Sequence, residues 1–284
     1  MFCRRLWTLI LIAVFAVGAR AGVIGYDGFE NHQVGTPLYD VIEMEGLSPD
    51  VGTDWVLSWV QQNKTSYVTD AVAYSGTQAQ SVRRVPGASQ GVFTGFGTGV
   101  PIDVAKQYVF SSMYYIADDA YALDNCGTNM VSCGPTLSGV VNWNHFGMTA
   151  SYNEAVGVWH NVGSGSYVNT YYVPVAGRWY LTEMVVDIGV DDGTGQYPTY
   201  YDTFFTDMTT GIRTEIAHRY WGKKLTAAAI AYGWEINTGA GAFAIGSTNQ
   251  WNQVYFDDLT IIPEPMTVSL LGLGGIALFR RFRR

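Results

Sequence analysis

Short runs of apolar, β-branched and aromatic residues alternate with clusters of Gly, Asn, Asp and Ser along most of the chain. The first are WVLSWV at 55 to 60, SYVTDAVAY at 66 to 74, QAQSVRRV at 78 to 85, GVFTGF at 91 to 96 and QYVFSSMYYIA at 107 to 117. A Gly-, Asn- and Cys-rich segment, predicted as a loop, follows. After it come NWNHFGMTASY at 142 to 152, AVGVWHNV at 155 to 162, SYVNTYYVPV at 166 to 175 and RWYLTEMVVDIGV at 178 to 190. TYYDTFFTDM at 199 to 208, IRTEIAHRY at 212 to 220, GAFAIG and QVYFDDLTII complete the series. A dozen or more such runs, several with period-two alternation, predict an all-β fold of two packed antiparallel sheets. The helix candidate is KKLTAAAIAYG at 223 to 233, read as a short turn of helix or an irregular segment. No fixed-period repeat and no linker divides residues 22 to 262, so they are expected to form one domain.

Both ends depart from this pattern. Residues 1 to 5 are basic, Leu6 to Val17 form an apolar stretch, and Ala19-Arg20-Ala21 is a small-x-small cleavage site before Gly22. Residues 1 to 21 therefore read as a signal peptide, because the apolar stretch falls well short of the ~20 residues that span a bilayer. At the other end stand Pro263-Glu264-Pro265, an apolar run from Met266 to Phe279 with Gly272, Gly274 and Gly275, and a cluster of Arg280, Arg281, Arg283 and Arg284. This three-part order, residues 263 to 284, resembles the PEP-CTERM sorting signal of Gram-negative and related environmental bacteria. The resemblance implies a transmembrane helix that halts export in the inner membrane, with the arginines in the cytoplasm. It also implies an exosortase-type membrane protease as partner, acting near the Pro-Glu-Pro motif, and a body that reaches the cell surface or the extracellular matrix. At 1.5 Å per residue the apolar run spans roughly 21 Å, less than the hydrocarbon core, which suits a transient anchor.

Export alters the reading of cysteine and charge. Without the signal, the chain keeps Cys126 and Cys133 in a Gly/Asn/Ser-rich stretch, and an oxidising compartment favours a disulfide between them. A metal pair is less well supported, since there is no CxxC and His145 stands apart, in a strand-like segment. Between residues 22 and 262 nine Lys and Arg face 23 Asp and Glu, a net charge of about −14. Such a body is a poor partner for nucleic acid, whose phosphates need clustered cations. Neutral glycans, divalent cations and cationic polymers remain compatible.

Four segments have a family look: YDGFENHQVGTPL at 26 to 38, AVAYSGTQAQSVRR at 71 to 84, AGRWYLTEMVVDIGVDDGTG at 176 to 195 and FAIGSTNQWNQVYFDDLTII at 243 to 262. In order, they resemble strands of concanavalin A-like lectin/glucanase (LamG-type) jelly rolls. The resemblance implies a jelly-roll sandwich whose first and last strands lie side by side. In relatives an acid of the first strand and an aspartate of the last often share a structural calcium, which here points to Glu30 with Asp257 or Asp258. Strand alternation would send one of those two aspartates inward.

One sheet of such jelly rolls is commonly concave and can hold a sugar chain. In the 178–190 segment Tyr180, Thr182, Met184, Val186 and Ile188 form the expected core side, and Trp179, Leu181, Glu183, Val185 and Asp187 the other. Trp179, Glu183 and Asp187 are thus candidates for glycan binding, or members of a solvated face. Tryptophan is abundant enough that at least one exposed indole is expected.

Catalysis is not expected. Glu183 and Asp187 lack the third carboxylate of the E-x-D-x-E strand used by hydrolases of this fold. A lyase would need basic and Tyr/His residues on neighbouring strands, for which Arg213, His218 and Tyr220 are the nearest match. There is no G-x-S-x-G. Asp191, Asp192 and Asp202 lack EF-hand spacing and read as a hydrated hairpin loop. The chain therefore reads as a secreted, sorted surface or biofilm-matrix protein that binds glycan or acts as scaffold. A glycoside hydrolase, a polysaccharide lyase and a purely structural matrix protein are the alternatives.

Overall fold

The computed structural model describes residues 22–38, 46–60, 66–84, 92–116, 129–133, 145–149, 158–161, 167–172, 175, 177–221, 224–240 and 252–263. The signal segment, Cys126, GAFAIG and everything from Glu264 onward lie outside them. Among the described residues no helix is long and apolar enough to cross a membrane.

The strands are β1 (Gly25–Asp27), β2 (Trp55–Val60), β3 (Ser66–Thr69), β4 (Ala79–Arg84), β5 (Val92–Gly97), β6 (Tyr108–Ile116), β7 (Asn129–Cys133) and β8 (His145–Thr149). Then follow β9 (Val158–Asn161), β10 (Tyr167–Tyr172), β11 (Trp179–Ile188), β12 (Thr199–Asp207), β13 (Arg213–Trp221), the short helix α1 (Ala227–Tyr232), β14 (Trp234–Ala240) and β15 (Asn252–Pro263). All pairings are antiparallel. The large sheet runs β13-β12-β11-β6-β15-β4-β3, with β1 also on β15; the smaller runs β2-β5-β14-β7-β8, and β9 pairs with β10. First and last strands are neighbours, Gly25 lying opposite Ile261.

The two larger sheets pack face to face around one core. Phe110 and Tyr114 of β6, Tyr180, Met184 and Val186 of β11, Phe205 of β12 and Phe256 and Ile261 of β15 are buried against Phe96 of β5 and Trp234 and Ile236 of β14. The Trp234 ring lies 5.2 Å from those of both Tyr108 and Phe110, so a single indole joins the layers. A buried polar link fixes their register: the Gln80 amide of β4 donates to the Ser66 and Thr94 hydroxyls and accepts from Thr238 of β14. A polar group so buried is tolerated because each of its atoms finds a partner. Tyr172 of β10 reaches Phe205 at 5.9 Å, so the small hairpin extends the second layer over β12.

The all-β, two-sheet expectation thus holds for the described body, with local differences. The segment read as a Gly/Asn/Cys loop contains β7, which pairs with β14 through Cys133 and Trp234. β14 itself, WEINTGA, was not expected, because Glu, Asn and two small residues break its alternation. The helix is real but short: the Thr226 hydroxyl accepts the Ala229 N–H at its start, and Gly233 ends it at φ 102°. The run from 66 to 74 leaves the sheet at Thr69, freeing residues 70 to 78 as a loop.

Candidate functional site

Alternation along β11 buries Tyr180, Thr182, Met184 and Val186 and leaves Trp179, Leu181, Glu183, Val185 and Asp187 half-buried on the outward side of the large sheet. Cross-strand pairing extends these positions into rows. In the first row Trp179 lies opposite Tyr115, and Tyr115 opposite Tyr255. Their ring centroids are 5.2 and 5.9 Å apart, and Tyr74, from the loop after β3, meets Trp179 at 5.6 Å. Four aromatic rings therefore form one strip.

The second row is polar. Glu183 lies opposite Ser111 on one side and Phe204 on the other; Ser111 faces Thr260, and Thr260 faces Tyr26. Arg213 Nε donates to Glu183 Oε2 at 3.0 Å while its guanidinium covers Phe204 at 3.7 Å. The third row joins Asp187, Tyr200 and Trp221. Gln107 Nε2 donates to Asp187 Oδ1 at 2.6 Å, and the Arg219 guanidinium lies 3.7 Å from Asp187 Oδ2 and over Tyr200 at 5.0 Å.

Trp179, Glu183 and Asp187 accordingly share one face but not one cluster. Glu183 and Asp187 are four strand positions apart, about 13 Å between Cα atoms at the rise of an extended strand. Arg213, His218 and Tyr220 do not come together either. Arg213 and His218 are exposed, whereas Tyr220 turns to the inner side and stands 6.3 Å from Tyr201. Left-handed backbone at Arg219, φ 45°, and a register shift against β12 break the alternation between them. His218 Nδ1 instead lies 2.9 Å from Glu215 and 3.3 Å from Asp202, in a polar cluster at the surface. Asp202 is therefore part of β12. Asp191 and Asp192 occupy the expected hairpin loop, where Asp191 accepts the Gly193 and Gly195 N–H groups and Asp192 pairs with Lys224.

The carboxylates matched to calcium converge on the loop that carries Tyr74. Asp257 Oδ2 accepts the Tyr74 and Ser75 N–H groups at 2.8 and 2.9 Å, and its Oδ1 accepts the Asp258 N–H at 2.7 Å. Asp258 Oδ1 accepts the Tyr26 and Ser75 hydroxyls. Glu30 accepts the Thr77 and Gln78 N–H groups, both at 2.7 Å, and the Thr77 hydroxyl. These carboxylate oxygens hold the loop by accepting its donors. Burial pushes the Asp257 carboxyl up to about 7, against the pull of its N–H donors. At Glu30 burial acts in the same upward sense, but the backbone N–H groups of Thr77 and Gln78 prevail and hold it below its ordinary value.

Neither aspartate enters the core, contrary to the simple alternation rule. Asp258 takes left-handed backbone, φ 48°, and the pairing with β6 slips between Asp257 and Thr260. This bulge lets Phe256, Leu259 and Ile261 all face inward while Asp257 and Asp258 reach the loop. Beside it a cavity of about 600 Å³ opens, lined by Tyr26, Glu30, Asp50, Thr260 and Ile262. The buried acid of the first strand is Asp27, which sequence reasoning passed over. It accepts the Phe29 N–H, the Trp55 Nε1–H and a bond with His32 Nε2, at 2.7 to 2.8 Å.

Tyr74, Tyr115, Gln107, Tyr200, Arg219 and Trp221 complete the outward face; of these Tyr74, Gln107, Tyr200 and Arg219 were not singled out from the sequence. Alternation within β6 and β12 marks some of them, but cross-strand register, which decides which meet, is not legible in one chain.

No family model matches the chain, and no curated protein matches it. Solved structures similar to it include an endo-β-1,4-glucuronan lyase from the fungus Trichoderma reesei, at TM-score 0.44 and 12% identity over 73% of this chain and 91% of that one. A Lotus tetragonolobus seed lectin is similar at TM-score 0.39 and 10% identity, over 74% of this chain and 98% of the lectin. The catalytic domain of a glycoside hydrolase family 131 protein from Coprinopsis cinerea matches at TM-score 0.40 and 10% identity, over 86% and 96%.

Proposed function

We propose that this is a secreted surface or extracellular-matrix protein whose outward sheet face binds a neutral glycan. The observation that carries the reading is the strip of Trp179, Tyr115 and Tyr74, backed by the buried Tyr255, beside the Glu183 row. Aromatic faces give sugar rings an apolar platform, and carboxylates held by arginines supply fixed acceptors for hydroxyl groups. The acidic balance of the body disfavours anionic polymers. Binding is favoured over hydrolysis because Glu183 is held by Arg213 and Asp187 by Gln107 and Arg219, and Val185 stands where a third carboxylate of a hydrolase strand would lie between them.

The test is a glycan array and affinity electrophoresis with the protein and its Trp179→Ala variant. Retention on a neutral polysaccharide, reduced in the variant, is expected. Reducing ends or unsaturated products released from polysaccharide, and lost in Glu183→Gln or Asp187→Asn, would replace binding with an enzymatic reading. Absence of any glycan binding, in a protein that still enters biofilm, would leave a structural role.

The sorting reading rests on Pro263-Glu264-Pro265, the apolar run and the terminal arginines. Deleting residues 263 to 284 is expected to abolish exosortase-dependent processing. Thiol titration of the exported protein tests the Cys126–Cys133 disulfide, with no free thiol expected.

A further inference from the structure

Trp221 lies at the opposite end of the same face from Trp179. It is 52% exposed on the edge strand β13, and Tyr220, its neighbour in sequence, already occupies the inner side against Tyr201. The indole therefore serves no core position. Beside it the charges are already matched within the protein: Asp187 takes the Gln107 amide and faces Arg219, and Arg219 lies over Tyr200. What this end offers a ligand is an exposed indole and polar groups held in place.

We propose that Trp221, flanked by Arg219 over Tyr200, forms a second sugar-stacking subsite, so that the face takes one extended neutral polysaccharide chain running from the Trp179 strip to Trp221. The inference rests on the glycan-binding reading above. Trp179 and Trp221 stand eight positions apart along the strands and two strands apart, roughly 26 Å by 10 Å. Between them lie the half-buried Leu181 and Val185 and the Glu183–Arg213 pair over Phe204. A span of that length suits a chain of several residues better than a single terminal sugar. The charges along it are Glu183, Asp187, Asp202 and Glu215 against Arg213 and Arg219, with His218 at the edge. This acidic balance disfavours a uronate chain and leaves a neutral one.

Calorimetric titration with β-1,4- and β-1,3-linked glucan oligosaccharides of two to eight residues, and with an oligouronate series, tests the proposal. The wild-type protein is expected to bind longer glucan oligosaccharides progressively more tightly. Trp221→Ala should weaken the longest about tenfold, the loss given by one stacked ring, and leave the disaccharide unchanged. Trp179→Ala should weaken every length. If Trp221→Ala leaves long chains unaffected while Trp179→Ala weakens them, the second subsite is overturned and the glycan-binding reading stands. Failure of the wild-type protein to bind any length overturns both, and tighter binding of oligouronates overturns the neutral chain.

Discussion

Two buried carboxylates show how environment separates residues of the same type. Asp27 is enclosed by three donors, one of them the Trp55 indole, and ties the first strand to the edge of the smaller sheet. Asp27→Ala would strand those donors without a partner. It is expected to cost about 3 kcal/mol, the scale of breaking a buried charged network, read from the urea midpoint. Asp257 faces the N–H groups of Tyr74, Ser75 and Asp258, with the Asp258 carboxyl and Tyr26 nearby. Its folded pKa, about 7, lies above the ordinary aspartate value, so the folded state holds the proton more tightly than the unfolded one. The resulting stabilisation is complete below about pH 4 and is lost as pH rises through about 7. Melting temperatures of wild type and Asp257→Asn measured between pH 4 and 8 should diverge accordingly. The wild type is expected to lose more stability than the variant over that interval, and equal losses would contradict this assignment.

At the scale of elements, the loop at residues 74 to 78 is held at both ends by carboxylates and places Tyr74 against Trp179. Gly76 permits this path: its φ is +58°, and a Cβ there would run into the Glu30 carboxylate. Gly76→Ala should therefore lower stability by about 2 kcal/mol, from left-handed strain and displacement of Glu30. Denaturant unfolding measures it, and a neutral effect would show the loop to be less constrained. Much at this scale was legible in sequence. The two faces of β11 follow from strict alternation, and β12 and β15 stand where their aromatic runs predict. β14 was missed because its side chains are small or polar, and the Asp257–Asp258 bulge because one left-handed residue changes the phase of a strand without a sequence signal. Trp179, Glu183 and Asp187 could be assigned to one face; the aromatic strip could not, since it depends on partners from β6, β15 and a loop.

For the whole molecule, the acidic body and the open outward face are consistent with one another. Few cations are present to recruit polyanions, and those on this face are held by carboxylates. The carboxylates resembling a calcium set are engaged with the loop and with Tyr26. Treatment with EDTA is expected to leave the melting temperature unchanged, and a fall restored by calcium would overturn that interpretation. The central claim concerns the face itself. The most direct measurement is the affinity of a neutral β-glucan for the wild-type protein and for Trp179→Ala, with melting temperature as the control for folding. A loss of about tenfold or more in a variant that remains folded is the predicted result. Equal affinity in the two proteins, or none in either, would contradict it.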